Sequence, residues 1–520
     1  MRWSHWVRLR KIVQILSFAF FIYLTFAVVE RRIAPPLADI FFRFDPLSAL
    51  GSMLASRQWI PRLGLAVITV LLTLLVGRAW CGWICPLGTL LEWVSFKRAR
   101  DILVKGVKVE NSGVKGVSIL RPYDRLRKLK YFLLVAVLLM VLLGSLSLLS
   151  IDPLAIFTRT MTTSILPALF YGINSLERVL YQVSFLSPAV DWFDGLVRGK
   201  ILPVEQPLFS QNLAIAILFF GILALNLLAH RFWCRYLCPL GALLGLLSKF
   251  SLFRPMIGTA CTHCARCAQV CRPGAIQAKA GELHIQPSEC TFCLDCLANC
   301  QPGEMHLRPQ VRPAPKEDFD LSRREALGAI VTGTAAVLLM GSELHRRQPS
   351  PWRIRPPGVD DEDAFLSTCL RCSQCMKICP TTALQPALTE AGLEGLWTPV
   401  VVPRLGYCDY GCTACSQVCP SGAIPKLPLE EKRLAVIGTA RIDRDRCLPW
   451  ASATTCVVCE EMCPTPDKSI RLEEATVIDD YGMDLIVQRP TVLREVCIGC
   501  GICEEHCPLP GEAAIRVYDA

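Results

Sequence analysis

The chain has 520 residues, 52% of them hydrophobic, and a mean hydropathy of +0.39. That composition excludes an ordinary soluble domain and a disordered chain. The net charge of +10 does not signal nucleic acid, because the basic residues gather in loops beside apolar runs.

Four apolar runs precede the middle of the chain, at about 12–29, 61–77, 130–150 and 209–229. Each is near the length that crosses a hydrocarbon core about 30 Å thick. The expectation is an integral membrane α-helical protein, a four-span bundle plus a fifth anchor helix, carrying α+β ferredoxin-like domains. Arg2, Arg8, Arg10 and Lys11 ahead of the first run, and the basic stretch from Lys97 to Lys130, face the cytoplasm on this reading. The expected domains are 1–250 (four spans), 251–310 (a cytoplasmic two-cluster domain), 311–345 (linker and anchor) and 346–520 (an external four-cluster domain). The expected location is the cytoplasmic membrane, multi-pass, with the C-terminal domain outside.

A repeat marks two of the run ends. Residues 78–95 read RAWCGWICPLGTLLEWVS and residues 231–248 read RFWCRYLCPLGALLGLLS. Pro86 and Pro239 suit helix starts, where a missing N–H costs nothing. A thiolate just before a helix gains from the positive end of its dipole. Cys81, Cys85, Cys234 and Cys238 are therefore candidate redox or metal-binding thiols that converge on one site. The bland alternative is two independent turns with free thiols or disulfides. Trp80, Trp83, Trp93 and Trp233 read as an interfacial belt.

All 28 cysteines fall in patterned groups: the two C-x3-C-P pairs and six quartets. Cys261, Cys264, Cys267, Cys271 and Cys290, Cys293, Cys296, Cys300 form tandem C-x2-C-x2-C-x3-C runs. Such a run gives three thiolates to one [4Fe–4S] cluster and lends its fourth to the neighbouring one. The expected sets are thus Cys261, Cys264, Cys267 with Cys300, and Cys290, Cys293, Cys296 with Cys271. Zinc sites stop at four ligands, and tandem quartets exceed that.

A Pro-rich stretch leads to Arg323-Arg324 and an apolar run at about 326–342. This reads as a twin-arginine export signal retained as an anchor; the alternative is an ordinary fifth span. Four more quartets follow: Cys369, Cys372, Cys375, Cys379; Cys408, Cys412, Cys415, Cys419; Cys447, Cys456, Cys459, Cys463; and Cys497, Cys500, Cys503, Cys507. Insertions fall only before the second cysteine. Gly274-Ala275-Ile276, Gly422-Ala423-Ile424 and Ala513-Ala514-Ile515 read as entries to short strands. The expected cofactors are six [4Fe–4S] clusters. Which last cysteine serves which cluster after residue 369 is not legible from spacing.

Residues 1–310, with their C-x3-C-P pairs and tandem quartets, resemble membrane ferredoxin-type proteins of the NapH/MauN kind. Residues 320–520, with Arg323-Arg324 and four quartets, resemble exported NapG/MauM-type ferredoxins. The resemblance implies a fusion of the two that oxidises membrane quinol and passes electrons outward to a periplasmic-side oxidoreductase or cytochrome. It also implies that the first external quartet pairs with the fourth and the second with the third. A second group with the same C-x3-C-P pairs works in metal-centre assembly, so the competing expectation is a factor that reduces a partner's metal site or cofactor.

The partners expected are the lipid membrane, the quinone pool, an external oxidoreductase and a cytoplasmic redox protein, with no nucleic acid. No dinucleotide fingerprint, phosphate loop or haem motif is present. Glu30, Asp39, Asp45, Asp152 and Asp191 are candidate proton acceptors, each more simply a solvated loop charge. His230 reads as interfacial and His263 as a surface residue.

Overall fold

A computed structural model describes residues 3–29, 35–95, 103–106, 117–120, 123–198, 206–258, 261–262, 264–279, 282–300, 304–309, 327–328, 330–335, 350–478 and 484–519. The chain forms two compact units. The first comprises Met1–Leu24, Ile40–Phe157 and Ala216–Leu339; the second comprises Thr25–Asp39, Thr158–Ile215 and Met340–Ala520.

The structure corrects the four-span bundle. Among the described residues one helix, Ser4–Ala27, is long and apolar enough to cross a membrane. The other three runs yield α-helices Ala66–Val76, Leu129–Leu142 and Asn212–Ala224, of 11, 14 and 13 residues. At 1.5 Å per residue these fall short of a core about 30 Å thick. The cause is local. A 3-10 turn at Pro61–Leu63 takes the start of the second run, and Gly77, with φ +78°, ends its helix. Gly144, with φ +85°, follows the third helix, and a 3-10 turn at Leu225–Leu227 ends the fourth. Arg323, Arg324 and most of the fifth run lie outside the described residues.

In the first unit, helix Pro239–Ser248 packs on Leu129–Leu142 and Ala66–Val76. Its small residues allow close approach: a β-carbon on Gly245 would come within 2.8 Å of the Ser288 carbonyl oxygen. The same unit holds a ferredoxin module. Strand Phe253–Ile257 pairs antiparallel with Met305–Pro309, and Ile276–Lys279 pairs with Glu282–Ile285. The tandem quartets fill the two connections between outer and inner strands.

The second unit repeats this plan. Thr439–Ile442 pairs with Ile515–Tyr518, and Ile470–Ile478 forms a hairpin with Asp484–Val492. Ile515 and Val517 alternate inward while Arg516 and Tyr518 stay half-exposed, the period of a strand with one buried face. Upstream, Leu384–Pro386 pairs with Pro399–Val401 between the quartets at 369–379 and 408–419. The strand expected at Gly422–Ile424 does not form, whereas those entered at Ile276 and Ile515 do. The core interleaves Phe365, Met376, Leu384, Ile424, Ile470 and Ile515 with buried cysteines.

Candidate metal centres

In four quartets the chain wraps through left-handed backbone around the second cysteine. Phe292 and Leu294 have φ 51° and 62°, Arg371 and Ser373 55° and 60°, Gly499 and Gly501 70° and 86°, and Ala265 57°. Left-handed backbone costs non-glycine residues roughly 1–2 kcal/mol each, so the fold imposes this turn. The two quartets with an enlarged first gap escape it: Thr413 and Val457, in the equivalent place before the short helix, have φ −126° and −120°. The insertions therefore change the turn as well as lengthen it.

The quartets meet in adjacent pairs. Helix Arg266–Val270 packs on Asp295–Ala298, Gln374–Ile378 on Ala414–Gln417, and Val458–Glu461 on Ile502–Glu505. In the first module burial pushes the Cys290 and Cys293 thiols up to about 11 and about 12, and nearby Cys271 adds to both. Cys261, Cys264 and Cys271 surround Cys267. In the second unit burial raises Cys369, Cys372 and Cys375, each with Cys419 beside it. Burial pushes Cys408 up to about 12; Cys379 stands next to it and next to Cys415. Cys507 reaches Cys447, and Cys463 reaches Cys500 and Cys503. Cys271, Cys379, Cys419, Cys463 and Cys507 thus each stand beside the neighbouring quartet, 379 exchanging with 419 and 463 with 507. The nested order implied by resemblance is not the one the structure adopts.

These sets fit [4Fe–4S] clusters. Five of the six convergences have three thiols of one run and the last of its neighbour, the pattern cubanes use. Backbone N–H groups already aim at sulfur: Ala275 at Cys271 (3.2 Å), Ala440 at Cys497 (3.5 Å) and Ala514 at Cys507 (3.4 Å). The hydroxyl of Thr465 lies 3.2 Å from Cys463 Sγ. Among the described residues no three or more His, Cys, Asp or Glu close around a single ion; four irons hold their ligands farther apart than one does.

Charge around the sets is uneven. Arg159 and Arg371 are buried beside the Cys369 set, and Arg159 stacks on Trp397 with its guanidinium 3.9 Å from the ring centre. Burial pushes Lys377 down to about 7, with Cys372 opposing. Cations there favour the reduced, more negative form of a cluster. In the first unit Glu289 receives Lys130 at 2.6 and 2.7 Å and Arg78 at 3.5 Å. Burial acts to raise this carboxyl, but Lys130, Arg127 and Arg78 outweigh it and hold it low. Beside Cys290 a cleft of about 230 Å³ opens, lined by Gly77, Arg254, Met256, His284 and Phe292 among others.

The C-x3-C-P cysteines come together. Cys81 lies near Cys85, Cys234 and Cys238, and all four are at least half-buried. Cys85 Sγ accepts from Gly88 N at 3.5 Å and Cys238 Sγ from Gly241 N at 3.2 Å. The sequence marked Arg78 and Arg231 only as repeat positions. In the fold each clasps the other copy: Arg231 donates to Gly88 O (2.7 Å) and Cys81 O (3.4 Å), and Arg78 lies against Gly241. The expected tryptophan belt is corrected for three of its four members. Trp80 and Trp233 are buried, and Trp83 donates to Phe292 O at 3.0 Å; Trp93 is exposed.

Among the acidic candidates Asp39, Asp45 and Asp152 are fully buried rather than solvated. Asp45 caps Pro46–Ser56 through Leu47 N and Ser48 Oγ, and Asp152 accepts from Leu154 N at 2.8 Å. The sequence signal for both was an Asp-Pro helix start. Burial raises both carboxyls, and Asp45 raises Asp152 further. Asp191 is exposed and accepts from Tyr181 at 2.5 Å. His230 is buried to an intermediate degree. Glu30 and His263 lie outside the described residues.

Thiol sets of this kind on ferredoxin modules define an iron–sulfur electron-transfer protein of ferredoxin type. The particular family follows from comparison. The chain is 38% identical over 205 residues to the methylamine utilization ferredoxin-type protein MauM of Methylorubrum extorquens, spanning 88% of that protein and 38% of this chain. It is 37% identical over 175 residues to the ferredoxin-type protein NapG of Escherichia coli, spanning 72% of that protein and 32% of this chain. The chain belongs to the MauM/NapG family of ferredoxin-type proteins. A family described as a 4Fe-4S binding domain also matches residues 59–105 and 211–258, the two segments that carry the C-x3-C-P pairs. No solved structure matches.

Proposed function

We propose that this chain is a membrane-attached electron-transfer subunit that oxidises quinol and delivers electrons to an oxidoreductase outside the cytoplasmic membrane. The observation that carries the reading is the meeting of quartets in adjacent pairs within ferredoxin modules. The ligands would be Cys261, Cys264, Cys267 with Cys300; Cys290, Cys293, Cys296 with Cys271; Cys369, Cys372, Cys375 with Cys419; Cys408, Cys412, Cys415 with Cys379; Cys447, Cys456, Cys459 with Cys507; and Cys497, Cys500, Cys503 with Cys463. Six [4Fe–4S] clusters bound there supply one-electron transfer and no substrate chemistry.

The protein's own residues set the conditions. Buried amide donors at Cys271, Cys497 and Cys507 stabilise charge on sulfur. Arg159, Arg371 and Lys377 favour an added electron at the Cys369 set. Asp45, buried and facing a protonated Asp152, is the carboxyl suited to take a proton from a two-electron donor. The Ser4–Ala27 helix supports attachment to a membrane, as anchor or as signal. The likeness of residues 1–310 to NapH/MauN-type proteins and the twin arginines supply the rest of this reading.

The test is anaerobic mixing of native membranes with a short-chain quinol, followed by optical bleaching and EPR. Bleaching on a catalytic timescale is expected; clusters that dithionite reduces but quinol leaves oxidised would end the quinol assignment. A second reading comes from the resemblance of the C-x3-C-P pairs to those of a group that works in metal-centre assembly: reduction of a partner enzyme's metal site or cofactor. On that reading deletion leaves the partner unmatured instead of merely unreduced.

A further inference from the structure

We propose that the four clusters of the second unit work in single file, from the Cys369 set through the Cys408 set and the Cys497 set to the Cys447 set, and that Lys432 tunes the middle step. The proposal rests on the reading of those cysteines as cluster ligands. It adds the order of transfer and a positioning residue outside every quartet.

The order follows from which sets touch. Helix Gln374–Ile378 packs on Ala414–Gln417, and Cys415 stands beside Cys375. The Cys369 and Cys408 sets are therefore neighbours. Helix Val458–Glu461 packs on Ile502–Glu505, and Cys459 stands beside Cys503. That joins the Cys447 and Cys497 sets. The junction between the two pairs is a backbone bond: Cys408 N donates to Cys500 O at 2.8 Å. It links two ligands that serve different clusters. The Cys408 and Cys497 sets are thus the inner two, and the Cys369 and Cys447 sets the outer two. Electron transfer falls off steeply with distance, so electrons step between touching sets.

The junction is braced. Ile437 N donates to Ile498 O at 3.0 Å. Arg404 donates to Glu504 O at 3.0 Å, Cys507 O at 3.1 Å and Gly511 O at 2.8 Å. A β-carbon on Gly501 would come within 2.8 Å of Pro403 Cβ. Residues 403–404, just ahead of the second quartet, are therefore seated on the loop of the fourth. The gap that an electron must cross is held fixed.

Lys432 lies at this junction. It belongs to helix Leu429–Leu434, between the second and third quartets, and is 4% exposed. Its Nζ donates to Asp409 O, the carbonyl next to Cys408. Its charge acts on Cys408 and on Cys500, one ligand from each inner set. A buried ammonium is costly without an anion nearby, and this one bonds a neutral carbonyl. The anions it faces are the thiolates of two clusters. Reduction adds negative charge to a cluster, and a fixed cation favours the form that carries it. One ammonium facing both clusters raises both potentials together and so keeps the step between them shallow. One electron leaves the reduced cluster on the Cys408 set and enters the oxidised one on the Cys497 set. The first is oxidised by one and the second reduced by one, and no bond or proton changes.

The experiment uses the full chain, isolated anaerobically and titrated with dithionite while EPR spectra are recorded. Lys432→Met should keep the wild-type iron and sulfide and shift two midpoint potentials downward, leaving the others in place. The two shifted components should be dipolar-coupled to each other, and Lys432→Arg should restore both. A shift in one component alone, in all or in none would overturn the role of Lys432, as would loss of iron in place of a shift. The order is read by deletion. Cys412→Ser removes a ligand of the Cys408 set; the Cys369 component should then lose its dipolar splitting while the Cys497 and Cys447 components stay coupled. A Cys369 component still split without the Cys408 cluster would overturn the order. If Cys412→Ser loses no iron, the ligand reading itself fails. Wild type, which needs no variant, should show two components split by two neighbours each; none of that kind, or four, would break the file.

Discussion

At Gly499 the chain has no room for a β-carbon. Its φ is +70°, and an added carbon would overlap the backbone of Gly438. Gly422 has φ +76° with nothing within 4 Å. Gly499→Ala should therefore lose the cluster on Cys497, Cys500, Cys503 and Cys463, seen as a missing EPR component. Gly422→Ala should cost only the backbone term, about 1 kcal/mol, with all clusters kept; equal effects in the two would contradict the account. Asp152 carries a pH prediction. Its carboxyl is raised by burial first and by Asp45 second, so the folded state holds a proton that the unfolded state has released. Stability should fall as pH climbs from the ordinary carboxylate range through the raised folded value. Asp152→Asn keeps a capping oxygen but never ionises, so its melting temperature should exceed wild type at neutral pH. The gain should vanish near pH 4, and a gain constant with pH would refute the assignment.

Helices and loops show what spacing encodes and what it does not. The cysteine intervals were legible because three ligands on one turn fix a local geometry. The crossing of the last cysteine was legible for the tandem runs at 261–300 but not after residue 369, because there it depends on which short helices pack and on hairpins such as Leu384–Pro386 with Pro399–Val401. Cys419→Ser should accordingly abolish the cluster on Cys369, Cys372 and Cys375 and spare that on Cys408, Cys412, Cys415 and Cys379. Loss of the second instead would restore another pairing. Hydropathy misled for an equally physical reason: it registers apolar residues, whereas a span needs uninterrupted helical rise, and Gly77, Gly144 and two 3-10 turns intervene. The burial of Asp45 and Asp152 was hidden because a loop aspartate before proline reads the same whether or not other helices cover it. Glu289 links the ferredoxin loop to Arg78, Arg127 and Lys130. Glu289→Ala strands those cations and should destabilise the first unit by about 3–5 kcal/mol, measured as a lower unfolding midpoint; a shift under about 1 kcal/mol would show the ion pairs to be replaceable.

On the scale of the whole molecule the chain repeats one device. Two cysteine runs meet beside antiparallel strands, once in the first unit and twice in the second. Polar chemistry is confined to tuning: amides on sulfur, arginines beside one set, a carboxyl pair away from the strands. Such a protein moves electrons. Iron content with Mössbauer spectroscopy on the anaerobically isolated full chain tests this most directly. The account predicts at least about twenty-four iron atoms per chain, dominated by [4Fe–4S] signals. Iron near half that figure, or cysteines occupied by zinc or disulfides, would contradict it.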